Sequence, residues 1–151
     1  MKSLFSFLLV LACLLILSGC GLPRIILVKD PLTPEEHLNL GVTYEKKGEF
    51  DHAMAEYRLA AKKLDIAYLY LGNAHFQKKE WVEAEEYYKK AIERDPRNAD
   101  AYNNLAWLYY AKKENLDEAE DLASKAMELN PSKDKIYRDT LQKIREMKKT
   151  R

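Results

Sequence analysis

Self-similarity at a fixed interval constrains this chain more than any other feature. Residues 65–98, DIAYLYLGNAHFQKKEWVEAEEYYKKAIERDPRN, recur on both sides of themselves, and a repeat of this length means one small unit stacked on copies of itself. Downstream, Tyr102, Leu105 and Ala106 follow Tyr68, Leu71 and Gly72 at an interval of 34 residues. The interval becomes 35 at Ala119, Ala126 and Pro131, the counterparts of Ala84, Ala91 and Pro96, because Lys112 to Leu116 carries one residue more than Lys78 to Trp81. Upstream, Gly41, Phe50, Ala53, Tyr57 and Ala60 precede Gly72, Trp81, Ala84, Tyr88 and Ala91 at 31. The spacing puts the three missing residues in the loop at Ala61 to Leu64, where no proline stands.

Each copy reads as two amphipathic helices. Tyr68, Leu71, Gly72 and His75 form one stripe of a 3.6-residue helix, and Ala84, Tyr88 and Ala91 form the matching stripe of a second. Helices joined by so few residues lie antiparallel, and Gly72 and Ala84 are small where the backbones approach. Asp95-Pro96 stops the second helix. Thr33-Pro34-Glu35-Glu36 opens the array with a threonine cap, a proline in the first turn and a glutamate placed to close a capping box. After Pro131, Tyr137, Leu141 and Ile144 keep one apolar stripe between the polar Lys143, Arg145, Lys148 and Lys149. An amphipathic helix of this kind covers the open end of a stacked array, and its basic last turn suits the negative end of the helix dipole. The expected architecture is all-α, with seven helices: three helix-turn-helix units over residues 34–131 (34–64, 65–98 and 99–131), then a capping helix and tail over 132–151.

The combination of Tyr68, Leu71-Gly72, Ala84, Tyr88, Ala91 and Pro96 resembles the tetratricopeptide repeat, and the resemblance extends from Pro34 to about Pro131. It departs from the family pattern at Ala106, where glycine is usual, and at His75, where tyrosine is usual. The resemblance implies a superhelix whose first helices line a concave groove that takes an extended peptide or a helix. The corresponding groove positions are Leu38 and Val42 in the first copy, Leu69, Asn73, Phe76 and Gln77 in the second, and Asn103, Trp107 and Tyr110 in the third. Asn73 and Asn103 match asparagines that hold a peptide backbone in such grooves. A clamp for a C-terminal carboxylate is not expected, because Leu38, Val42, Asn103 and Trp107 stand where it would need cations. Two readings of Phe76, Trp107 and Tyr110 stay open at this level: packing between repeats, or an exposed apolar patch for a partner.

The chain opens with Lys2, an apolar run from Leu4 to Leu17 and small residues before Cys20. That is the layout of a secretory signal peptide over 1–19, and the run stops short of the roughly 20 residues a bilayer span needs. Leu17-Ser18-Gly19-Cys20 resembles the lipobox of bacterial lipoproteins, which implies removal of 1–19 and lipidation of Cys20. By the same resemblance, Gly21 after the cysteine points to the outer membrane, facing the periplasm. Residues 20–33 then form the lipidated N-terminus and a tether, whose Ile25 to Val28 either stay extended or pack on the first helix.

With Cys13 discarded and Cys20 acylated, no disulfide is available. The 25 basic and 24 acidic residues nearly balance, which argues against nucleic acid or an anionic lipid surface as partner. No phosphate-binding glycine loop, HExxH motif or nucleophile elbow is present. His37, His52 and His75 have no metal-ligand spacing among them. An enzyme, a cofactor, a metal site and a small-molecule substrate are therefore not expected. The expected function is a membrane-anchored protein-interaction scaffold of the bacterial envelope, whose partner is another envelope protein or peptide. The alternatives are an assembly accessory of the pilotin type for a secretion, pilus or outer-membrane system, and a regulator of a cell-wall enzyme.

Overall fold

A computed structural model describes residues 30–150. Cys20, the apolar run before it and the stretch Ile25 to Val28 lie outside the described residues. The helices are Pro34–Lys46 (α1), Phe50–Ala60 (α2), Ala67–Gln77 (α3), Trp81–Arg94 (α4), Ala99–Lys112 (α5), Leu116–Leu129 (α6) and Asp134–Lys149 (α7). A single 3-10 turn, Pro131–Lys133, leads into the last of them, and no strand occurs among the described residues. Packing follows chain order: α1 on α2, α3 on α4 and α5 on α6 within the pairs, then α2 on α3 and α4 on α5 between them, with α7 against α6 and α5.

The first helix begins as its sequence dictates. Thr33 Oγ1 accepts from the Glu36 N–H at 3.2 Å and Glu36 Oε2 accepts from the Thr33 N–H at 2.7 Å, with Pro34 in the first turn. At α4 and α6 the stop is an Asp-Pro or Asn-Pro step whose side chains refold the chain into the next helix. Asp95 Oδ1 accepts from Arg97 N at 3.0 Å and Asn98 Oδ1 from Ala101 N at 3.0 Å, while Asn130 Oδ1 accepts from Ser132 N at 3.2 Å.

Within each pair the turn needs one residue in the left-handed region. Gly48 supplies it at φ 78°, and Lys79 and Lys113 occupy the same place at φ 62° and 58°. The residue added in the third copy is Asn115, which takes a second left-handed position at φ 48°, a conformation asparagine tolerates better than most side chains.

The first copy differs from its expected form. The three residues it lacks are missing from the helix rather than the loop: α2 has 11 residues where α4 and α6 have 14. Helix α4 runs past Ala91 to Arg94, whereas α2 ends at Ala60, the counterpart of Ala91. Without proline the chain leaves α2 through tightening turns, Lys62 N donating to Leu59 O at 3.3 Å and Lys63 N to Ala60 O at 3.0 Å. Segment 61–66 is accordingly longer than segment 95–98.

A large ring packed on a glycine holds each of the first two pairs together. Tyr57 is fully buried against Gly41 and Tyr88 almost fully against Gly72. In the third pair both members change, to Ala106 and Ala123, and both are fully buried in one core cluster with Leu105, Leu108 and Tyr109. Ala106 thus stands in place of glycine where no tyrosine ring presses on it.

Helix α7 closes the end of the array. Tyr137 and Ile144 are fully buried and Leu141 nearly so, Leu141 and Ile144 joining the cluster of α5 and α6. The Tyr137 hydroxyl donates to Asp100 at 2.8 Å. Arg145 and Lys148 each reach Glu120 of α6 at 2.7 Å.

Candidate functional site

First helices α1, α3 and α5 present one face to a continuous groove. Its first part is a cavity of about 310 Å³ lined by Glu45 of α1, Asn73, Phe76 and Gln77 of α3, Tyr88 of α4, and Asn104 and Trp107 of α5. Asn104 and Trp107 are shared with a second cavity of about 760 Å³, whose other walls are Asn103 of α5 and Lys135, Ile136, Asp139, Thr140 and Lys143 of α7.

A polar network forms the floor of the first cavity. Asn73 Oδ1 accepts from the Tyr88 hydroxyl at 3.0 Å and from Asn104 Nδ2 at 2.9 Å. With its oxygen so occupied, Asn73 offers its Nδ2 to the cavity, since that nitrogen makes no hydrogen bond among the described residues. Glu45 is held in turn by the Tyr57 hydroxyl at 2.5 Å. Burial, and secondarily the Glu45 charge, hold the Tyr88 phenol far above its ordinary range. Its hydroxyl therefore stays a donor at any physiological pH.

Aromatic rings form the walls. Trp107 stacks on Tyr110 with centroids 4.9 Å apart, and Phe76 meets Trp81 edge-on at 5.2 Å. Lys143 of α7 lies over the Trp107 ring at 5.1 Å while paired with Asp139 at 2.6 Å. Trp107 is only half-buried, although it is surrounded on several sides.

Of the residues singled out in the sequence, Asn73, Phe76, Gln77 and Trp107 line the first cavity, and Asn103 and Trp107 line the second. Tyr110 backs the Trp107 ring and packs on the main core cluster without lining either. Leu69 is buried in that same cluster, so its side chain is a packing residue rather than a groove residue. Leu38 and Val42 are half-buried against the cluster of Ala53, Met54, Tyr57, Leu71 and Ala74 and line neither cavity. Asn103 is buried, with an Oδ1 that has no hydrogen-bond partner and an Nδ2 at 3.4 Å from Asn104 Oδ1. It is the repeat counterpart of Leu69, and the two share that inward position.

Sequence reasoning missed Glu45, Tyr88 and Asn104. Asn104 follows Asn73 by 31 residues rather than the repeat interval of 34, because neighbouring first helices meet with a stagger. That stagger exists only once the pairs are stacked.

Two of the three histidines are buried in the packing, and His52 is exposed. His37 and His75 are buried, and Nδ1 of each lies 2.6 Å from a glutamate, Glu56 and Glu80 respectively. Among the described residues, no group of three or more His, Cys, Asp or Glu is placed to hold a metal ion, and no helix is long and apolar enough to cross a membrane.

Comparison with known proteins agrees with this architecture. Sequence models of the tetratricopeptide repeat match residues 37–62, 66–98 and 87–121. Human tetratricopeptide repeat protein 6 is 33% identical over 82 residues, 52% of this chain and 16% of that protein. Stress-induced-phosphoprotein 1 of Caenorhabditis elegans is 41% identical over 59 residues, 39% of this chain and 18% of that protein. The chain thus spans less than a fifth of the length of these relatives. Among solved structures, the first repeat domain of Spaghetti (RPAP3), bound to the HSP90 peptide SRMEEVD, superposes with a TM-score of 0.70 at 22% identity, over 78% of this chain and 94% of that one. The TPR2B domain of yeast Sti1, in a complex with pHsp70, superposes with a TM-score of 0.70 at 23% identity, over 75% and 96%. At these identities the likeness is one of fold. From the matched repeats and the stacked helix pairs together, this chain belongs to the tetratricopeptide-repeat family.

Proposed function

We propose that this protein is a lipid-anchored interaction scaffold of the bacterial cell envelope, which holds an extended segment of a partner protein in the groove lined by α1, α3, α5 and α7. The observation that carries the reading is the groove itself: two cavities meeting at Asn104 and Trp107, with half-buried rings along the walls and an amide network beneath. Amides pair with the backbone of an extended chain, and rings bury its apolar side chains; buried aromatic residues of this kind dominate the energetics of many interfaces. Repeat domains of the same fold hold peptides, as in the complex of Spaghetti with SRMEEVD. The anchoring half of the proposal rests on the sequence Leu17-Ser18-Gly19-Cys20 alone. A thioether-linked diacylglyceryl group at Cys20 would bury enough methylenes, at about 0.8 kcal/mol each, for stable attachment to the outer membrane facing the periplasm.

Two experiments test the two halves. A photo-crosslinking amino acid at Gln77, in the groove, is expected to trap a discrete partner in intact cells, whereas the same group at exposed Glu86 on α4 traps none. Loss of the band on Trp107→Ala supports the groove; equal trapping at both positions overturns it. In parallel, the Cys20→Ser chain is expected to stay unprocessed and take up no labelled fatty acid, and incorporation of label into it would end the lipoprotein reading.

A further inference from the structure

We propose that the first cavity selects a cationic side chain, so that the segment held in the groove carries an arginine or lysine seated against Glu45. The inference rests on the groove reading above and adds its specificity. Among the residues lining the 310 Å³ cavity, Glu45 is the sole formal charge; the rest are the amides Asn73, Gln77 and Asn104 and the rings of Phe76, Tyr88 and Trp107. The volume, at the lower end of the range of small ligand sites, accommodates one long side chain. A carboxylate among aromatic faces is the environment a guanidinium or ammonium group favours, since each ring face carries partial negative charge.

Glu45 is also pre-set for this role. The buried Tyr57 hydroxyl donates to its Oε2, which fixes the carboxylate before any ligand arrives. No lysine, arginine or histidine lines the cavity, so no cation of the chain competes for Glu45 there. The cations of the groove lie in the second cavity, where Lys135 and Lys143 stand on α7. An acidic segment therefore meets repulsion in the first cavity, in contrast to the peptide SRMEEVD held by the Spaghetti domain.

The test uses the full chain in detergent and a library of capped octapeptides in which each position is fixed in turn while the others vary. Arginine or lysine is expected to be enriched at one position. In a peptide resynthesised from that enrichment, replacing the basic residue by norleucine is expected to weaken binding about tenfold, and this difference is expected to vanish in Glu45→Gln, whose side-chain oxygen still accepts from Tyr57. SRMEEVD is expected to bind more weakly than the selected peptide. Selected peptides that lack a basic residue, or that bind Glu45→Gln with the same arginine preference, overturn the inference; if Trp107→Ala still abolishes their binding, the groove reading stands without it. Failure of every peptide to bind overturns both. A peptide of residues 21–32, GLPRIILVKDPL, carries Arg24 and Lys29; if it displaces the selected peptide equally well after both are replaced by norleucine, the cavity does not select a cation and the inference fails.

Discussion

The ring of Tyr88 lies directly over Gly72, so that a Cβ built on Gly72 would stand 2.5 Å from Tyr88 Cδ1 and Cε1. Tyr57 makes the same contact with Gly41 one repeat earlier. The ring cannot move aside, because burial and the hydrogen bond to Asn73 hold it. Gly72→Ala is therefore expected to cost about 1–3 kcal/mol of stability or somewhat more, as overpacked cores do. Gly48→Ala is the control: nothing lies within 4 Å of its Cβ position, and the cost is only the left-handed φ of 78°, about 1 kcal/mol. Denaturant midpoints of the two variants check the contrast; equal losses would show that the glycine-ring contact is not what limits α3 against α4.

Trp107→Ala separates binding from folding, because the indole is half-buried and its main neighbour is the Tyr110 ring. Loss of that stack is expected to cost about 1 kcal/mol of stability beyond the lost burial of the half-exposed ring, with the helical spectrum kept, against about 2 kcal/mol or more of partner affinity. Circular dichroism and a binding titration on one preparation measure both. Asn73→Ala is a poorer probe. It removes the acceptor of the buried Tyr88 hydroxyl, and an orphaned buried donor costs about 1–3 kcal/mol by itself, so that variant is expected to lose stability together with any binding.

Acid is expected to loosen the contact of α7 with α6. Hydrogen bonds from Lys148 and then Arg145 hold the Glu120 carboxyl below its ordinary value of 4.5. A carboxylate whose folded pKa is depressed contributes stability in full above its unfolded pKa and loses it as pH falls through the folded one. The melting temperatures of wild type and Glu120→Gln should differ by a constant gap between about pH 7 and about pH 5, and converge below about pH 4. A gap that persists in acid would mean that Glu120 acts through packing and not through its charge.

The capping helix divides sharply between residues that pack and residues that do not. Ile144 is fully buried whereas Ile136 is 58% exposed at the rim of the second cavity. Ile144→Ala is expected to destabilise by about 2–5 kcal/mol, and Ile136→Ala by no more than about 0.5 kcal/mol. Thermal melts decide it. Comparable losses at both positions would place the inner face of α7 elsewhere.

Much of this was written in the chain. The stripe Tyr137, Leu141 and Ile144 marked the cap, Thr33 to Glu36 marked the first turn, and the paired small residues marked where helices approach, since each signal is local or rests on a fixed helical period. Asn73, Phe76, Gln77 and Trp107 line one cavity for the same reason: a stripe opposite the packing face is where a stacked array leaves side chains available. Leu69 was not assignable this way. It lies on the border between the two faces, and only the tertiary cluster it joins, with residues of α4 and α5 among others, decides that it is buried.

What the sequence determined alone is the repeat, its helical pairs, their capping residues and hence the family, because periodicity and turn chemistry act over a few residues. What tertiary structure decided is how the copies meet. The exchange of Gly72 and Tyr88 for Ala106 and Ala123 is a paired change between two helices, and the loss of three residues shortened α2 rather than its loop. The groove depends on the same stacking. Glu45, Tyr88 and Asn104 come from three different helices, and their meeting beside Trp107 follows from the stagger between neighbouring pairs, which no interval in the chain records.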